Sequence, residues 1–278
     1  MRAFQQVDVF TQEAGLGNPV AVVLDGEGLS DAQMAGFARW TNLSETTFVL
    51  PAVAPEADYR VRIFTPSQEL PFAGHPTLGT CHALLEAGRV SRSEGLVQEC
   101  EAGLIPIRVE TDGALVFAAP PAKTSACSRT AEELAALLGG GSVADPLLID
   151  VGPRWLTLRL TEPGDMDRIQ PDYPAIAEAT RSSGWDGITA YAISSEGGVE
   201  VRSFAPADGI DEDPVCGSGN AAVGHHLRAT GAESLTGESY VARQGRFLQR
   251  DGRIRVRIAD RVEVGGHCIS VIVGSVAI

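Results

Sequence analysis

The sequence predicts an α+β protein made of two similar halves, and a duplicated segment is the main observation behind this prediction. Residues 61–88 and 201–231 share Val-Arg-x-Phe-x-Pro, followed by Pro, Gly, His, Leu and Gly at matching places. The offset between the copies is 140 residues at the first motif (201 − 61) and 143 residues further on (217 − 74). Each copy has the pattern of a β-strand, a loop rich in Pro and Gly, and a helix that ends at Gly. A fold built from two such halves is expected to bring both helix starts to one seam.

The rest of the chain divides around this repeat. Its 278 residues suit two domains of roughly 100–150 residues. Alternating or β-branched segments predict strands, and the Pro- and Ser-rich run 119–130 is typical of a linker. The predicted domains are 1–120 and 128–266. The chain end, 268–278, is expected to join the first domain as a strand buried on both faces, because it is almost wholly apolar.

Composition and charge narrow the function classes. The chain has 22 basic and 36 acidic residues, a net charge of −14, and is 44% hydrophobic. Counterion release from phosphates needs clustered basic residues, so neither nucleic acid nor an anionic membrane is an expected partner. The five cysteines are scattered without a Cys-x-x-Cys pair, which argues against a disulfide framework or a zinc site. The N-terminus shows no signal-peptide pattern, and we expect a cytoplasmic protein.

Both helix starts of the repeat are candidate anion sites. Gly74 and His75 begin one helix, and Gly217, Ser218 and Gly219 begin the other. The first turn of a helix carries backbone donors without helical partners and a partial positive charge. Two such ends suit a substrate that bears a carboxylate. A structural histidine and an ordinary glycine turn are the alternatives at these positions.

Two carboxylates are candidate acid–base groups. Glu45 lies at the start of an apolar strand, where desolvation can raise the pKa of a carboxyl and suit it to proton transfer near neutral pH. A surface or capping glutamate is the alternative there. Asp213 directly precedes Pro214 and the second helix start, so it is either a helix cap or a second carboxylate of the site.

Cys216 suggests a different chemistry. A cysteine at a helix N-terminus can be stabilised as a thiolate and act as a base. A two-base racemase needs a second thiol opposite, yet the equivalent residue of the first copy is Ala73 (216 − 143). Symmetric two-cysteine chemistry is therefore disfavoured.

Taken together, these motifs resemble the phenazine biosynthesis-like (PhzF) isomerase family. The resemblance is carried by GNPVAVV (17–23), NLSETTFV (42–49), PFAGHPTLGT (71–80) and FAP…EDPVCGSGN (204–220), and it extends over essentially the whole chain. It implies a diaminopimelate epimerase-like fold of two similar domains, each a curled, mostly antiparallel sheet around a central helix. It further implies an active site in the cleft, no metal or organic cofactor, and a homodimer.

The resemblance also implies roles for individual residues. Glu45 corresponds to the family's proton-shuttling glutamate, and His75, Asp213 and Ser218 to residues that orient the substrate or assist proton transfer. The substrate-binding residues are expected to be Asn18, Gly74, Cys216, Gly217 and Gly219. Cys216 departs from the usual threonine, and Asn220 stands where many members have histidine.

Three functions follow in order of preference. The first is an isomerase that moves a proton within a small carboxylate-bearing substrate through Glu45. The second is an amino- or hydroxy-acid epimerase or racemase that uses Cys216. The third is a non-catalytic protein that binds a small acid, or another protein, on the same fold.

Overall fold

The computed structural model describes residues 1–91, 95–162, 164–195 and 197–278. These residues group into two compact units: 1–118 with 265–278, and 119–264. The sequence predicts domains at 1–120 with 268–278 and at 128–266. That these stretches are separate domains stays a prediction.

The secondary structure follows the same order in both units. The first 118 residues form β1 (Arg2–Val9), β2 (Asn18–Val23), α1 (Asp31–Thr41), β3 (Glu45–Leu50), β4 (Tyr59–Phe64), β5 (Glu69–Leu70), α2 (Gly74–Glu86), β6 (Leu96–Cys100), β7 (Gly103–Val109) and β8 (Leu115–Ala118). The remainder forms β9 (Lys123–Ala126), α3 (Ala131–Leu137), β10 (Val143–Asp150), β11 (Arg154–Leu160), α4 (Asp165–Arg168), α5 (Tyr173–Ser183), β12 (Gly187–Ile193), β13 (Val199–Ala205), β14 (Ile210–Asp213), α6 (Gly217–Thr230), β15 (Ser239–Gln244), β16 (Gly252–Ile258), β17 (Val262–Gly266) and β18 (Cys268–Val276).

The first unit is a sheet curled around α2. Its strands run in the order β18–β1–β2–β3–β4–β6–β7–β8, and β5 pairs briefly with β4. All these pairs are antiparallel except β2 with β3 and β4 with β6. Helix α2 contacts β1, β2, β3, β8 and β18, and Gly79 allows a close approach, since a Cβ there would lie 2.3 Å from Val20 Cγ1.

The second unit repeats this arrangement around α6. Strands β10 and β11 pair antiparallel, β11 and β12 parallel, and β12 and β13 antiparallel, which is the order found for β1 to β4. Strand β13 pairs with β14 and with β15, and β15 pairs in turn with β16. In the first unit, β4 pairs in the same way with β5 and with β6, and β6 pairs with β7. Helix α6 contacts β10, β11, β12 and β16. The predicted α+β class, with two similar sheets each curled around a central helix, is confirmed.

Local sequence signals place the helix ends well. Helix α1 begins at Asp31, after a capping box in which Ser30 Oγ accepts from the Gln33 N–H at 3.3 Å. Helix α5 has Asp172 as its N-cap, and Gly184 follows it in the left-handed region. Within the described residues, no helix is both long and apolar enough to cross a lipid bilayer.

The structure corrects two expectations and adds one strand. Residues 123–126 of the predicted linker are strand β9, which pairs antiparallel with β10. Strand β17 was not predicted. The chain-end strand β18 does join β1, but residues 271–275 are exposed rather than buried on both faces. An apolar strand is buried only where another layer covers it, and this part of β18 lies uncovered.

Candidate active site

Glu45 and His75 form a close pair in the first unit. Glu45 Oε2 lies 3.3 Å from His75 Nε2, and their side chains are 15% and 8% exposed. Glu45 is the first residue of β3, and His75 is the second residue of α2. Because Glu45 is largely buried, the alternative of a surface glutamate is wrong. A carboxyl beside an imidazole can exchange a proton with a bound molecule while its partner orients it.

Burial changes the acidity of Glu45. Loss of hydration disfavours the charged form and raises the pKa of this carboxyl from 4.5 to about 7, and a hydrogen bond from Ser44 opposes the shift only in part. A group with a pKa near neutrality is present in both protonation states at physiological pH. Glu45 can therefore both accept and release a proton there.

Asn18 lies at the same end of the sheet as Glu45. Strands β2 and β3 are parallel, and Val20 is paired with Glu45. The first residues of the two strands, Asn18 and Glu45, therefore lie at the same end of the sheet. Asn18 is 1% exposed, and Ser44 Oγ donates to its Oδ1 at 3.5 Å. Asn18, Ser44 and Glu45 thus form one polar cluster at the start of α2.

Gly74 opens α2 without a side-chain cap. Its N-cap is Ala73, which makes no side-chain hydrogen bond to the first turn. A Cβ on Gly74 would lie 2.8 Å from Phe117 Cζ, so only glycine fits without movement of this ring. Backbone donors in the first turn of an uncapped helix suit an anion.

In the second unit, Ser218 takes the place that His75 has in the first. Trp155 Nε1 donates to Ser218 Oγ at 3.0 Å, and Ser218 Oγ lies 3.5 Å from Cys216 Sγ. Gly187 opens β12 as Glu45 opens β3. A Cβ on Gly187 would lie 2.4 Å from the Phe204 carbonyl oxygen and 2.5 Å from Trp155 Cζ3, so backbone and indole ring together leave no room for a side chain where the first unit has its carboxylate.

Asp213 and the start of α6 are held together by Gln244. The Gln244 side chain donates to the Asp213 carbonyl oxygen at 3.0 Å and accepts from the Cys216 N–H at 3.1 Å. Asp213 Oδ1 accepts from the Val215 N–H at 3.0 Å. Asp213 is therefore the last residue of β14 and leads into the turn before the helix, whose N-cap is Cys216.

The Cys216 thiol serves as that cap. Its Sγ accepts from the Gly219 N–H at 3.3 Å, and the residue is 4% exposed. Burial, reinforced by the negative charge of Asp213, raises the pKa of the thiol well above its usual value. These effects outweigh the stabilisation that a helix start offers a thiolate, so Cys216 is poorly suited to act as a base.

The predicted site residues thus fall into two groups. Asn18, Glu45, Gly74 and His75 cluster in the first unit, whereas Asp213, Cys216, Gly217, Ser218 and Gly219 surround the start of α6 in the second. The sequence analysis did not identify the residues that form hydrogen bonds with these groups.

Three such partners stand out: Ser44, Trp155 and Gln244. Ser44 directly precedes Glu45 in the motif NLSETTFV (42–49), so the sequence alone could have identified it as a neighbour of the carboxylate. Trp155 and Gln244 carry no local signal, because each meets the start of α6 only in the fold.

Known proteins resemble the chain over its whole length. A family model described as phenazine biosynthesis-like protein matches residues 7–274. The chain is 38% identical to the Schizosaccharomyces pombe protein named antisense-enhancing sequence 1, over 96% of this chain and 97% of that one. It is 34% identical to a trans-2,3-dihydro-3-hydroxyanthranilate isomerase of Pseudomonas aeruginosa, over 96% of each of the two chains.

A solved structure shows the same fold. A PhzF-family phenazine biosynthesis protein of Bacillus anthracis superposes with a TM-score of 0.84 at 23% identity, over 100% of this chain and 99% of the other. This likeness supports the epimerase-like fold expected from the sequence.

Proposed function

Because the chain belongs to the phenazine biosynthesis-like (PhzF) family, we propose that it is an isomerase in which Glu45 moves a proton within a small carboxylate-bearing molecule. The observation that carries this proposal is the Glu45–His75 pair, 3.3 Å apart, in a site where burial brings the pKa of the carboxyl to about 7. A proton shuttle must be a base at one step and an acid at the next, and such a pKa serves both.

The proposed reaction is a proton transfer without net change of composition. Glu45 takes a proton from an acidified carbon, leaving the electron pair in the adjacent unsaturated system. The protonated carboxyl then returns the proton to another carbon on the same face, and the double bond shifts. His75 holds the Glu45 carboxyl through the 3.3 Å contact, and backbone donors at Gly74 bind the substrate carboxylate.

Asp213 and Ser218 take supporting roles in this proposal, as residues that orient the substrate. These roles are supported by the hydrogen bonds that fix the neighbouring backbone and the Ser218 hydroxyl. Gln244 binds the backbone before α6, and Trp155 fixes the Ser218 hydroxyl. Groups held in this way need little reorganisation when a substrate arrives.

The proposal is tested by incubating the protein in D₂O with small unsaturated carboxylic acids. The panel should include trans-2,3-dihydro-3-hydroxyanthranilate, the substrate in the name of the Pseudomonas relative. We expect isomerisation of at least one acid with deuterium at the carbon that gains the proton. Binding of an acid without isomerisation or exchange would instead favour the non-catalytic alternative.

The pH dependence of turnover should report Glu45. The carboxyl must be deprotonated to accept the first proton, so kcat/KM is expected to rise as the pH increases through about 7. The measurement is kcat/KM from pH 5 to 9 on the acid identified above. A profile that is flat across this range would show that the buried carboxyl is not the base.

Cys216 allows the epimerase alternative to be tested directly. Serine is a good N-cap and keeps a hydroxyl near the Gly219 N–H, so Cys216→Ser is expected to retain the rate within about threefold. The measurement is kcat/KM for isomerisation together with racemisation of amino and hydroxy acids. If the serine variant loses its activity while remaining folded, the thiol is the base and the Glu45 proposal fails.

A further inference from the structure

A pocket lies in the second unit, away from the start of α6. We call it the α6 pocket. Its volume of about 470 Å³ is within the range of pockets that hold small ligands. His225 lines it and is eight positions after Gly217 (225 − 217), which is about 12 Å along the helix. The α6 pocket is therefore distinct from the candidate active site. Its apolar wall consists of Ala119, Pro120, Pro121, Ala122, Ala229 and Val262.

Two arginines bring positive charge to the α6 pocket. Arg228 donates to the Ala259 carbonyl oxygen, and Arg261 Nη2 donates to the Ala119 carbonyl oxygen at 3.0 Å. A guanidinium has five N–H donors, so each contact fixes the side chain and leaves donors for a ligand. Among the described residues neither arginine is paired with a carboxylate, although the chain has 36 acidic and 22 basic residues. Both charges are thus available to an anion, and the planar guanidinium matches a carboxylate.

His225 adds a hydrogen-bond acceptor. Its ring is bonded to the backbone of Pro120, and because proline has no N–H, the ring is the donor there. Nε2 is buried without a hydrogen-bond partner in the part of the chain that the structure describes, so Nδ1 makes the bond to Pro120. Burial, reinforced by the charge of Arg228, lowers the pKa of His225 and keeps the ring neutral at pH values near 7. The bare Nε2 of such a ring accepts a hydrogen bond.

Asp260 limits the charge of a suitable ligand. It lines the same pocket and is exposed, so two guanidiniums and one carboxylate leave a single net positive charge there. A carboxylate, with one negative charge, is balanced by this set. A phosphate dianion would be repelled by Asp260 and by the net charge of −14 on the chain. The charges therefore favour a carboxylic acid as the ligand.

We propose that the α6 pocket binds a small organic acid that carries a hydroxyl group. Its carboxylate binds the Arg228 and Arg261 guanidiniums, its hydroxyl donates to His225 Nε2, and its apolar part packs against the alanine and proline wall. The buried Nε2 then has a donor, and the two guanidiniums have a counter-charge. This site is independent of Glu45, because none of its residues belongs to the candidate active site.

The test is a titration of the whole chain, labelled with ¹⁵N at histidine, with 4-hydroxyphenylacetate. The chain has five histidines, so the ring signals are few, and His225→Gln identifies the signal of His225. We expect a saturable shift of the His225 Nε2 signal. Any response of His75 reports the candidate active site and is measured separately. Phenylacetate lacks the hydroxyl and should bind at His225 about three- to tenfold more weakly, the usual effect of one hydrogen bond.

Arg261→Met should weaken binding at His225 at least about tenfold and leave the response of His75 unchanged, because it removes a charged hydrogen-bond donor from this pocket alone. The matched control is Arg253→Met, which also removes an exposed arginine of the second unit and should bind as the wild type does. Ala229→Phe fills the pocket without changing its charges and should also prevent binding. Circular dichroism identifies a variant that fails to fold. Absence of a saturable shift at His225, or equal binding by the two arginine variants, would overturn the proposal.

Discussion

Glu45→Gln is expected to lower the isomerisation rate about 10²–10⁴-fold, the usual contribution of a positioned acid or base. Glutamine keeps the size of the side chain and can still contact His75, but it cannot take a proton from carbon. The measurement is kcat on the acid identified in D₂O, together with deuterium exchange. Turnover or exchange equal to that of the wild type would contradict the proposed role of Glu45.

The same substitution is expected to stabilise the fold at alkaline pH. The pKa of Glu45 is raised from 4.5 to about 7 in the folded state. The contribution of this group to the free energy of unfolding is therefore fully present below pH 4.5 and is lost as the pH rises through 7. Glutamine does not titrate and avoids this loss. The free energy of unfolding should therefore be higher in Glu45→Gln by about 3 kcal/mol at pH 8 and by only about 1 kcal/mol at pH 5.

Urea unfolding at the two pH values measures this difference. Glu27→Gln is the matched control, since it removes one negative charge from an exposed side chain of the same unit. A Glu45 variant that is less stable than the wild type at pH 8 would mean that the carboxylate is held by stabilising contacts in its charged form. Gain of stability with loss of activity is the signature of a site that keeps a costly buried group for chemistry.

Arg202→Met is expected to destabilise the second unit by about 3–5 kcal/mol. The Arg202 guanidinium binds both carboxylate oxygens of Glu212, at 3.0 and 2.7 Å, and these two side chains are 6% and 3% exposed. Methionine fills the space but leaves the Glu212 charge buried without its partner. Glu212 lies in β14 beside Asp213, so the variant should also loosen the turn that leads into α6.

The repeat provides the control for this experiment. Arg62 is the equivalent residue of the first unit (202 − 140), and it also pairs with a carboxylate, Glu69, at 2.6 Å. Those side chains are 27% and 31% exposed, so Arg62→Met should cost about 1 kcal/mol or less.

Urea unfolding followed by circular dichroism measures both variants, and the fluorescence of Trp155 and Trp185, which are buried in the second unit, shows whether that unit is the one destabilised in Arg202→Met. Equal losses in the two arginine variants would contradict the effect of burial. In the double variant Arg202→Met, Glu212→Leu, most of the stability should return, since the uncompensated charge is gone.

Much of the fold could be predicted because its signals are local. The offsets of 140 and 143 residues disclosed the repeat, and the spacing of Gly, Pro and apolar residues placed α2 and α6. Strand β9 was mistaken for part of a linker because Lys-Thr-Ser-Ala is polar on both faces, and only pairing with β10 makes it a strand. The apolar run of β18 predicted burial, which requires a covering layer that the strand pattern cannot report.

By itself, the sequence determined the duplicated frame, the two helix starts, and the identity of the polar residues next to them. It also disfavoured two-cysteine chemistry, since Ala73 is the equivalent of Cys216 in the first copy of the repeat. Only the tertiary structure decided how these groups behave.

The contact between Glu45 and His75 joins residues 30 positions apart (75 − 45), and desolvation of the carboxyl depends on everything packed around it. Burial likewise raises the pKa of the Cys216 thiol, which accepts a hydrogen bond from the Gly219 N–H at the start of α6. Residue types are local properties of a chain. Acidity arises from the surroundings that the fold assembles, and for this reason the raised pKa of Glu45 could not be read from its motif alone.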